Sequence, residues 1–409
     1  MEGVEEIVIA GAGLAGLATA LGLHRKGVRC VVLESSATLR ASGYAFTTWT
    51  NAFRALDALG VGDKIREHHL LYERLVAFSA STGLPQNFST YNLTSNALTN
   101  IMVDCCISGP HEIRCVKRNF LLETLEEELP EGTIRYSSKI VAIEEEGNVK
   151  LLHMADGSII RANVLVGCDG VNSVVAKWLG LPKPILSGRS ATRGLAEYPD
   201  GHGFGPEMLQ FIGQGFRSGV LPCSDTSVYW NYTWYPSPAD GDAEESVDKM
   251  RRHVLARLRA AKIPAEALDV VERGEMSEVV SSPLRFRSPL ALVRGSISRR
   301  GVCVAGDAFH PMTPELGQGG CAALEDGVVL ARCLGEAFAV GGHGSAEAAL
   351  EKYAGERRWR AVRLVTAAYV VGFVQQSSNP AIKFLRERFL SGLLARVMVD
   401  MADFDCGKL

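Results

Sequence analysis

The stretch from Glu5 to Ser35, EEIVIAGAGLAGLATALGLHRKGVRCVVLES, constrains this chain more than any other. It reads as strand, tight glycine turn, helix and strand. Ile7, Val8, Ile9 and Ala10 form a short apolar run, the pattern of a strand buried on both faces. Gly11-Ala-Gly13-Leu-Ala-Gly16 follows, a G-x-G-x-x-G set between that strand and a helix. Gly11 permits the sharp turn, Gly13 lets a pyrophosphate approach the backbone, and Gly16 lets the helix pack close to the sheet. The helix N-terminus offers free N–H groups and its positive dipole end to the phosphates. The second strand runs from Cys30 to Leu33 and ends in Glu34. This acid lies 18 residues beyond Gly16, near the ~20-residue spacing at which an acid bonds a ribose hydroxyl. It disfavours a 2′-phosphate, so the site expects a dinucleotide other than NADP.

The chain of 409 residues has room for two or three domains. Its net charge of −3, with no basic block, argues against nucleic acid as a partner. No apolar run reaches the ~18 residues of a membrane span; the longest, Leu364 to Val374, is too short. The first strand begins within a few residues of the start, so no signal or transit peptide is expected, and the terminal Gly-Lys-Leu is only loosely like a peroxisomal address. The ten cysteines form no C-x-x-C and no Cys/His cluster at zinc spacing. They read as reduced thiols of a cytoplasmic protein without a metal, the neighbours Cys105 and Cys106 included.

Further along, Ala37 to Thr50 reads as an irregular loop. Asn51 can cap a helix to Leu59 that stops at Gly60. Residues from about Leu75 to Met102 suggest strands, and RNFLLETLEEEL from Arg118 a helix. A meander with turn signals at Gly147-Asn148 and Asp156-Gly157 leads into Val164-Leu-Val-Gly-Cys-Asp169-Gly170, a buried strand ending in an acid. From Ile185 to about Ser282 the chain is richer in aromatic strand patterns, interrupted by one helix, Glu244 to Ala261. Gly301-Val-Cys-Val-Ala-Gly306-Asp307 is a third acid-ended strand, followed by a long helix from Gly320 to Val340. The remainder is helical, with Trp359, Val362, Val365, Tyr369, Val370 and Phe373 on one face, read as a packing face.

One ribose needs one acid. A second acid-ended site after a later strand implies a longer ligand along the sheet edge, and FAD is such a ligand. The set GAGLAGL, VGCDG and AGDAFHPMTPELGQGGCAALEDG resembles that of the p-hydroxybenzoate hydroxylase-like class A flavin monooxygenases, and is most similar to the plant branch of salicylate hydroxylase and zeaxanthin epoxidase. The resemblance covers nearly the whole chain. It implies an α/β fold: a Rossmann-like, glutathione reductase-type FAD domain, a second mostly antiparallel β substrate domain, and C-terminal helices. The boundaries expected are 1–75, 102–184 and 283–345 for the first, 76–101 and 185–282 for the second, and 346–409 for the helices.

The resemblance assigns Gly11, Gly13, Ala15 and Gly16 to the adenosine pyrophosphate, and Glu34 and Ser35 to its ribose. It gives Arg118 a contact to FAD, Asp169-Gly170 a role toward FAD and the nicotinamide nucleotide, and Asp307 the ribityl hydroxyls. Pro314, Gly317, Gln318, Gly319 and Gly320 match the loop beside the flavin ring, where backbone N–H groups and the next helix's positive end favour negative charge on reduced flavin. His310 in that loop reads as structural. In the second domain, alternation between sheet faces makes Gln210, Arg217, Tyr229 and Asn231 candidates to face the ring. Arg217 and Tyr229 match substrate positions of urate hydroxylase-like members, so they are the catalytic candidates; Asn231 stands where an aromatic is usual. Thr47, Thr48 and Trp49 are expected near the ring.

The implied activity is FAD-dependent monooxygenation in plant secondary metabolism. NAD(P)H reduces FAD, O2 forms a flavin hydroperoxide, and one oxygen atom goes to a small aromatic or conjugated substrate. No separate Rossmann unit serves the nicotinamide. The expected assembly is a monomer or weak homodimer. The alternatives are epoxidation or other oxygen insertion on the same fold, a flavin-binding protein without catalysis, and a plain NAD dehydrogenase.

Overall fold

The computed structural model describes residues 4–39, 44–79, 85–92, 97–98, 111–213, 215–241, 243–276, 281–340, 345–377, 379–385 and 391–409. Cys105 and Cys106 lie outside them.

The apolar run after Glu5 forms the strand Glu5–Ala10, buried along its second half. It pairs in parallel with Val31–Leu33 on one side and Ile159–Gly167 on the other. Val302–Val304 adds to Ile159–Gly167, and Ile134–Arg135 to Val31–Leu33, both in parallel. The register sets Ala10 beside Leu33 and Gly167, and Gly167 beside Val304. All three acid-ended strands therefore finish along one edge, the carboxyl edge where open α/β sheets bind ligands. Helices Leu14–Arg25 and Gly319–Val340 lie against each other with small residues at the seam. A Cβ on Gly22 would stand 2.5 Å from the Ala331 Cβ, and one on Gly327 2.5 Å from the Ala18 Cβ.

A second sheet is built from Ile185–Glu197, Ser227–Trp234, Phe216–Ser224 and Glu207–Ile212, antiparallel in that spatial order. Arg74–Ser79 joins it in parallel to Glu207–Ile212, followed by Pro85–Asn92 and Ala97–Leu98. Alternation sends Phe211, Val220, Trp230, Tyr232 and Trp234 to one face, where they bury against helices Val247–Ala260 and Ala265–Arg273. The opposite face turns toward the carboxyl edge of the first sheet.

Four local expectations are corrected. Residues 45–49 are a strand, Ala45–Trp49, paired with Ile113–Lys117 rather than a loop. The next helix begins at Thr50 with Trp49 in the capping position, and the Asn51 side chain is buried instead, donating to Gln318 Oε1 at 2.8 Å and Glu325 Oε1 at 2.5 Å. Two α-helices, not one, interrupt the region after Ile185: the first ends at Ala260, before Lys262 in the left-handed region (φ +57°), and the second starts at Ala265 after Pro264. The stripe on helix Ala346–Gln376 faces outward. Trp359 is 60% exposed, Val370 and Phe373 46%, and only Val365 of the six is buried. The inward face carries Arg357 and Arg360, whose partners are the buried Glu325 and Asp326. The buried side is otherwise apolar, with Leu350, Tyr353, Leu364, Ala368 and Val371, so the helix has two apolar sides and the paired arginines lie on the inward one.

Candidate active site

The glycine motif folds as its residue types require. Gly11 has φ +100°, and a Cβ there would come within 2.6 Å of the Cys168 carbonyl oxygen. A Cβ on Gly16 would lie 2.0 Å from the Gly11 carbonyl oxygen, whereas one on Gly13 would meet nothing within 4 Å and would project into the open groove. The Glu34 carboxylate accepts from Ala12 N (2.9 Å), Ser36 N (2.8 Å) and the Ser35 hydroxyl (3.2 Å), which fixes it beside the motif. Ala15 faces the third strand's turn: a Cβ on Gly306 would stand 3.0 Å from the Ala15 Cβ.

Asp169 accepts from the Ser173 hydroxyl (2.5 Å), Val174 N (2.7 Å) and Val175 N (3.3 Å), so it fixes the start of helix Val174–Trp178. Burial pushes its carboxyl up, and those donors oppose the shift. Asp307 differs. It opens onto the groove while protein surrounds it elsewhere, and its carboxylate has no hydrogen-bond partner among the described residues. Burial raises its pKa, with His310 and Arg118 pulling it back. Arg118 opens helix Arg118–Glu127; its Nε is buried without a partner among the described residues, and burial lowers its pKa against the pull of Asp307.

The segment after Asp307 is clamped from several sides. Arg287 donates to the carbonyls of Phe309 (2.9 Å) and Ala308 (3.0 Å). His310 Nε2 lies 2.7 Å from Asp326 Oδ2, which also accepts from Gly306 N at 2.8 Å. Burial alone would push Asp326 up, but His310 and Arg357 hold it down at about 2. It is therefore an acceptor, His310 Nε2 carries the proton toward it, and His310 positions the loop, as its place in the sequence suggested. Pro314–Leu316 forms one turn ending at Gly317 with φ +64°. A Cβ on Gly317 would lie 3.1 Å from Trp49 Nε1, and one on Gly320 2.6 Å from the Phe46 ring. The loop thus rests directly on the Ala45–Trp49 strand, and Gly319 begins the long helix.

Between this loop and the second sheet lies a cavity of ≈ 150 Å³. Gln210, Arg217, Tyr229 and Asn231 line it from the sheet, Trp49 and Thr47 from the short strand, and Pro314, Glu315 and Gly317 from the loop. Arg217 donates to Glu315 O (2.9 Å) and Gln210 Oε1 (2.7 Å). Burial pushes its pKa down to about 10 despite Glu315. Tyr229 is pushed up to about 12, again by burial. Sequence reasoning missed Arg189, which pairs with Glu315 in the interior, and Arg193 and Met398, which also line the cavity. Strand alternation could have found Arg193, which sits opposite Asn231.

Several buried polar atoms in and around this loop have no partner among the described residues: Trp49 Nε1, Thr48 Oγ1, Thr313 Oγ1, Gln318 Nε2 and Arg118 Nε. Unsatisfied buried donors are rare in native folds and suit a polar ligand. With an open Gly13 and an unpartnered Asp307, the groove fits a dinucleotide that runs from the first glycine turn to the cavity.

Comparison with known proteins agrees. A family described as FAD binding domain matches residues 5–368, and the chain belongs to this family. It is 46% identical over 420 residues to Monooxygenase 2 of Arabidopsis thaliana, covering 100% of this chain and 99% of that protein. It is 38% identical to Monooxygenase 1 of the same plant, covering 98% and 99%. The fold matches that of Klebsiella pneumoniae HpxO, solved with FAD and uric acid, with a TM-score of 0.80 over 99% of this chain and 97% of that one at 21% identity. The protein is an FAD-dependent monooxygenase with a mixed α/β fold. No helix among the described residues is long and apolar enough to cross a membrane.

Proposed function

We propose that this monooxygenase uses NAD(P)H and O2 to hydroxylate a small aromatic or conjugated molecule held in the cavity between the Gly317 loop and the second sheet. The observation that carries the reading is that cavity: it joins polar groups of the sheet to the loop that follows the third acid-ended strand. Gly11, Gly13, Ala15, Gly16, Glu34 and Ser35 would hold the adenosine half of FAD. Arg118, Asp169 and Asp307 would hold the middle, and Pro314, Gly317, Gly319 and Gly320 the ring. When bound, FAD supplies hydride acceptance from NAD(P)H and the activation of O2.

The chain's own residues do the rest. Trp49, Phe46, Met208, Leu221, Leu316 and Met398 give the cavity apolar walls that keep water from the reacting atoms. Tyr229, neutral to about pH 12, can donate from its hydroxyl to a substrate oxygen. Arg217, charged to about pH 10, stabilises negative charge on a substrate hydroxyl as its proton leaves. In this reading the enzyme works in the cytoplasm as a monomer or weak homodimer, with its cysteines reduced.

Arg217→Ala removes a charged donor from the cavity and leaves Gln210 without its partner. It should raise the substrate KM by ~10–100-fold, or divert reduced oxygen to peroxide, at unchanged FAD content. Unchanged KM and coupling would remove Arg217 from the site. The reaction itself is tested by NAD(P)H oxidation with peroxide detection against phenolic acids, phenols and purines. Fast oxidation triggered by one compound with little peroxide supports the reading; equal oxidation with all compounds, all ending in peroxide, counts against it.

A further inference from the structure

The outward side of helix Ala346–Gln376 presents Trp359, Tyr369, Val370 and Phe373, all exposed. At ~1.5 Å per residue the row from Trp359 to Phe373 is about 21 Å long. Two neighbouring elements widen it. Arg358 Nη1 donates to the carbonyls of Leu292 (2.6 Å), Val293 (3.1 Å) and Gly295 (2.8 Å), which locks the short helix Pro289–Arg294 alongside. Leu290 and Val293 of that helix, three residues apart and so on one side, are exposed. The Phe286 ring stacks on Tyr369 with centroids 4.7 Å apart. Ile185, opposite Phe286 across the paired strands and so on the same sheet face, is exposed as well. Three separate stretches of chain thus build one apolar surface.

The charge of this face is one-sided. Residues 182–190, 283–300 and 357–376 supply it, and they contain no Asp or Glu in a chain that has 46. Arg294, beside Val293, and Arg363, one turn beyond Trp359, are exposed and make no hydrogen bond or ion pair among the described residues. Lys183, also exposed, stands two residues before Ile185. The acids of the long helix all precede Trp359. Glu356 is held by Arg332 at 2.5 Å, Glu347 accepts from Arg300 N at 2.9 Å, and Glu351 lies about 12 Å further back along the axis. A large exposed apolar patch marks an interaction surface, and its cations select what lies against it. A second copy docked about a two-fold axis would bring Arg294 and Arg363 against the same uncompensated charge. An anionic bilayer instead offers phosphates to the arginines and an acyl boundary to the apolar side chains, and Trp and Tyr rings suit the headgroup level. We propose that this face rests on an anionic membrane surface, with helix Ala346–Gln376 lying in the plane of the headgroups rather than crossing it. The proposal does not depend on which substrate the cavity takes.

The test is co-sedimentation of the FAD-loaded enzyme with vesicles of phosphatidylcholine alone, or with roughly 30% phosphatidylglycerol, at about 0.1 M salt. The enzyme should bind the anionic vesicles at least ~10-fold more tightly than the neutral ones, and less tightly again at about 0.5 M salt. Trp359→Ser combined with Phe373→Ser should weaken binding ~10–100-fold, and so should Arg294→Glu combined with Arg363→Glu. These side chains are exposed, so FAD content and melting temperature should stay at the parent's values. Arg294→Lys combined with Arg363→Lys should keep most of the binding, since a bilayer reads charge rather than fork geometry. The inference is overturned if the enzyme binds neither kind of vesicle, or if both disruptive pairs bind as the parent does. It is also overturned if the parent ignores vesicles and forms a dimer that Trp359→Ser returns to monomer, which would assign the face to a second copy. Binding to soluble polyglutamate but to no vesicle would assign it to an acidic protein and overturn it equally.

Discussion

Asp307→Ala is expected to give a folded, colourless protein. The Asp307 carboxylate has no hydrogen-bond partner among the described residues, and burial raises its pKa. Removing it from the FAD-free protein therefore breaks no hydrogen bond among the described residues and takes away a carboxyl whose charged form its surroundings disfavour. The melting temperature without FAD should hold or rise. With FAD the result reverses. A carboxylate that accepts from ligand hydroxyls contributes about 1.5–3 kcal/mol per charged hydrogen bond, so the FAD Kd should rise by at least ~10–100-fold. Flavin absorbance relative to protein absorbance, and a melt with and without added FAD, read both arms. A variant that purifies fully yellow would show that Asp307 does not hold the cofactor.

Arg357→Met should have the largest effect on stability. Arg357 Nε donates to Asp326 Oδ1 at 2.6 Å, and its Nη2 lies 2.7 Å from Glu325 Oε2. All three side chains are buried. Deleting the cation leaves Glu325 with Arg360 and Asp326 with His310, in an interior that penalises unpaired charge. The expected loss is ~3–5 kcal/mol. At ~2.1 cal/mol/K of unfolding entropy per residue, a chain of this length should melt about 4–6 °C lower. The variant should also hold FAD less tightly, because Asp326 fixes Gly306 N just before Asp307.

The same cluster sets an acid limit. Asp326 is held at about 2 against an ordinary 3.8. The folded value lies below the unfolded one, so its ionisation stabilises the fold above about pH 4, and that contribution is lost as pH falls from about 4 to about 2. In Arg357→Met the folded value rises, so the pH-dependent contribution shrinks. Melts between pH 2 and 7 should show a flatter acid limb for the variant. A variant as stable as the parent across this range would mean that the cluster does not support the loop.

The glycine turn and the three acids were legible because each is local: a strand, its terminal residue and the turn that follows occupy neighbouring positions. Parallel pairing then brings Ala10, Leu33, Gly167 and Val304 into register, so local signals become one edge. Arg217 and Tyr229 were reached through resemblance and strand alternation. The missed features depend on contacts distant in sequence. Glu325 and Arg360, or Arg189 and Glu315, carry no mark in the chain that says they will meet. Helical spacing grouped Trp359 with Phe373 but could not say which side of the helix turns inward; it is the side of Leu350, Tyr353, Leu364 and Ala368, together with Arg357. Arg193 looks like any arginine in an exposed strand until the cavity is seen.

The central claim is that oxygen from O2 is delivered to a molecule in the cavity beside the Gly317 loop. Its most direct test is turnover of the FAD-loaded enzyme under 18O2 with NAD(P)H and the compound that best accelerates NAD(P)H oxidation. The account predicts a product carrying one 18O atom, formed nearly one for one with the NAD(P)H consumed. NAD(P)H oxidation that yields labelled peroxide alone, and no labelled product with any compound, would contradict it.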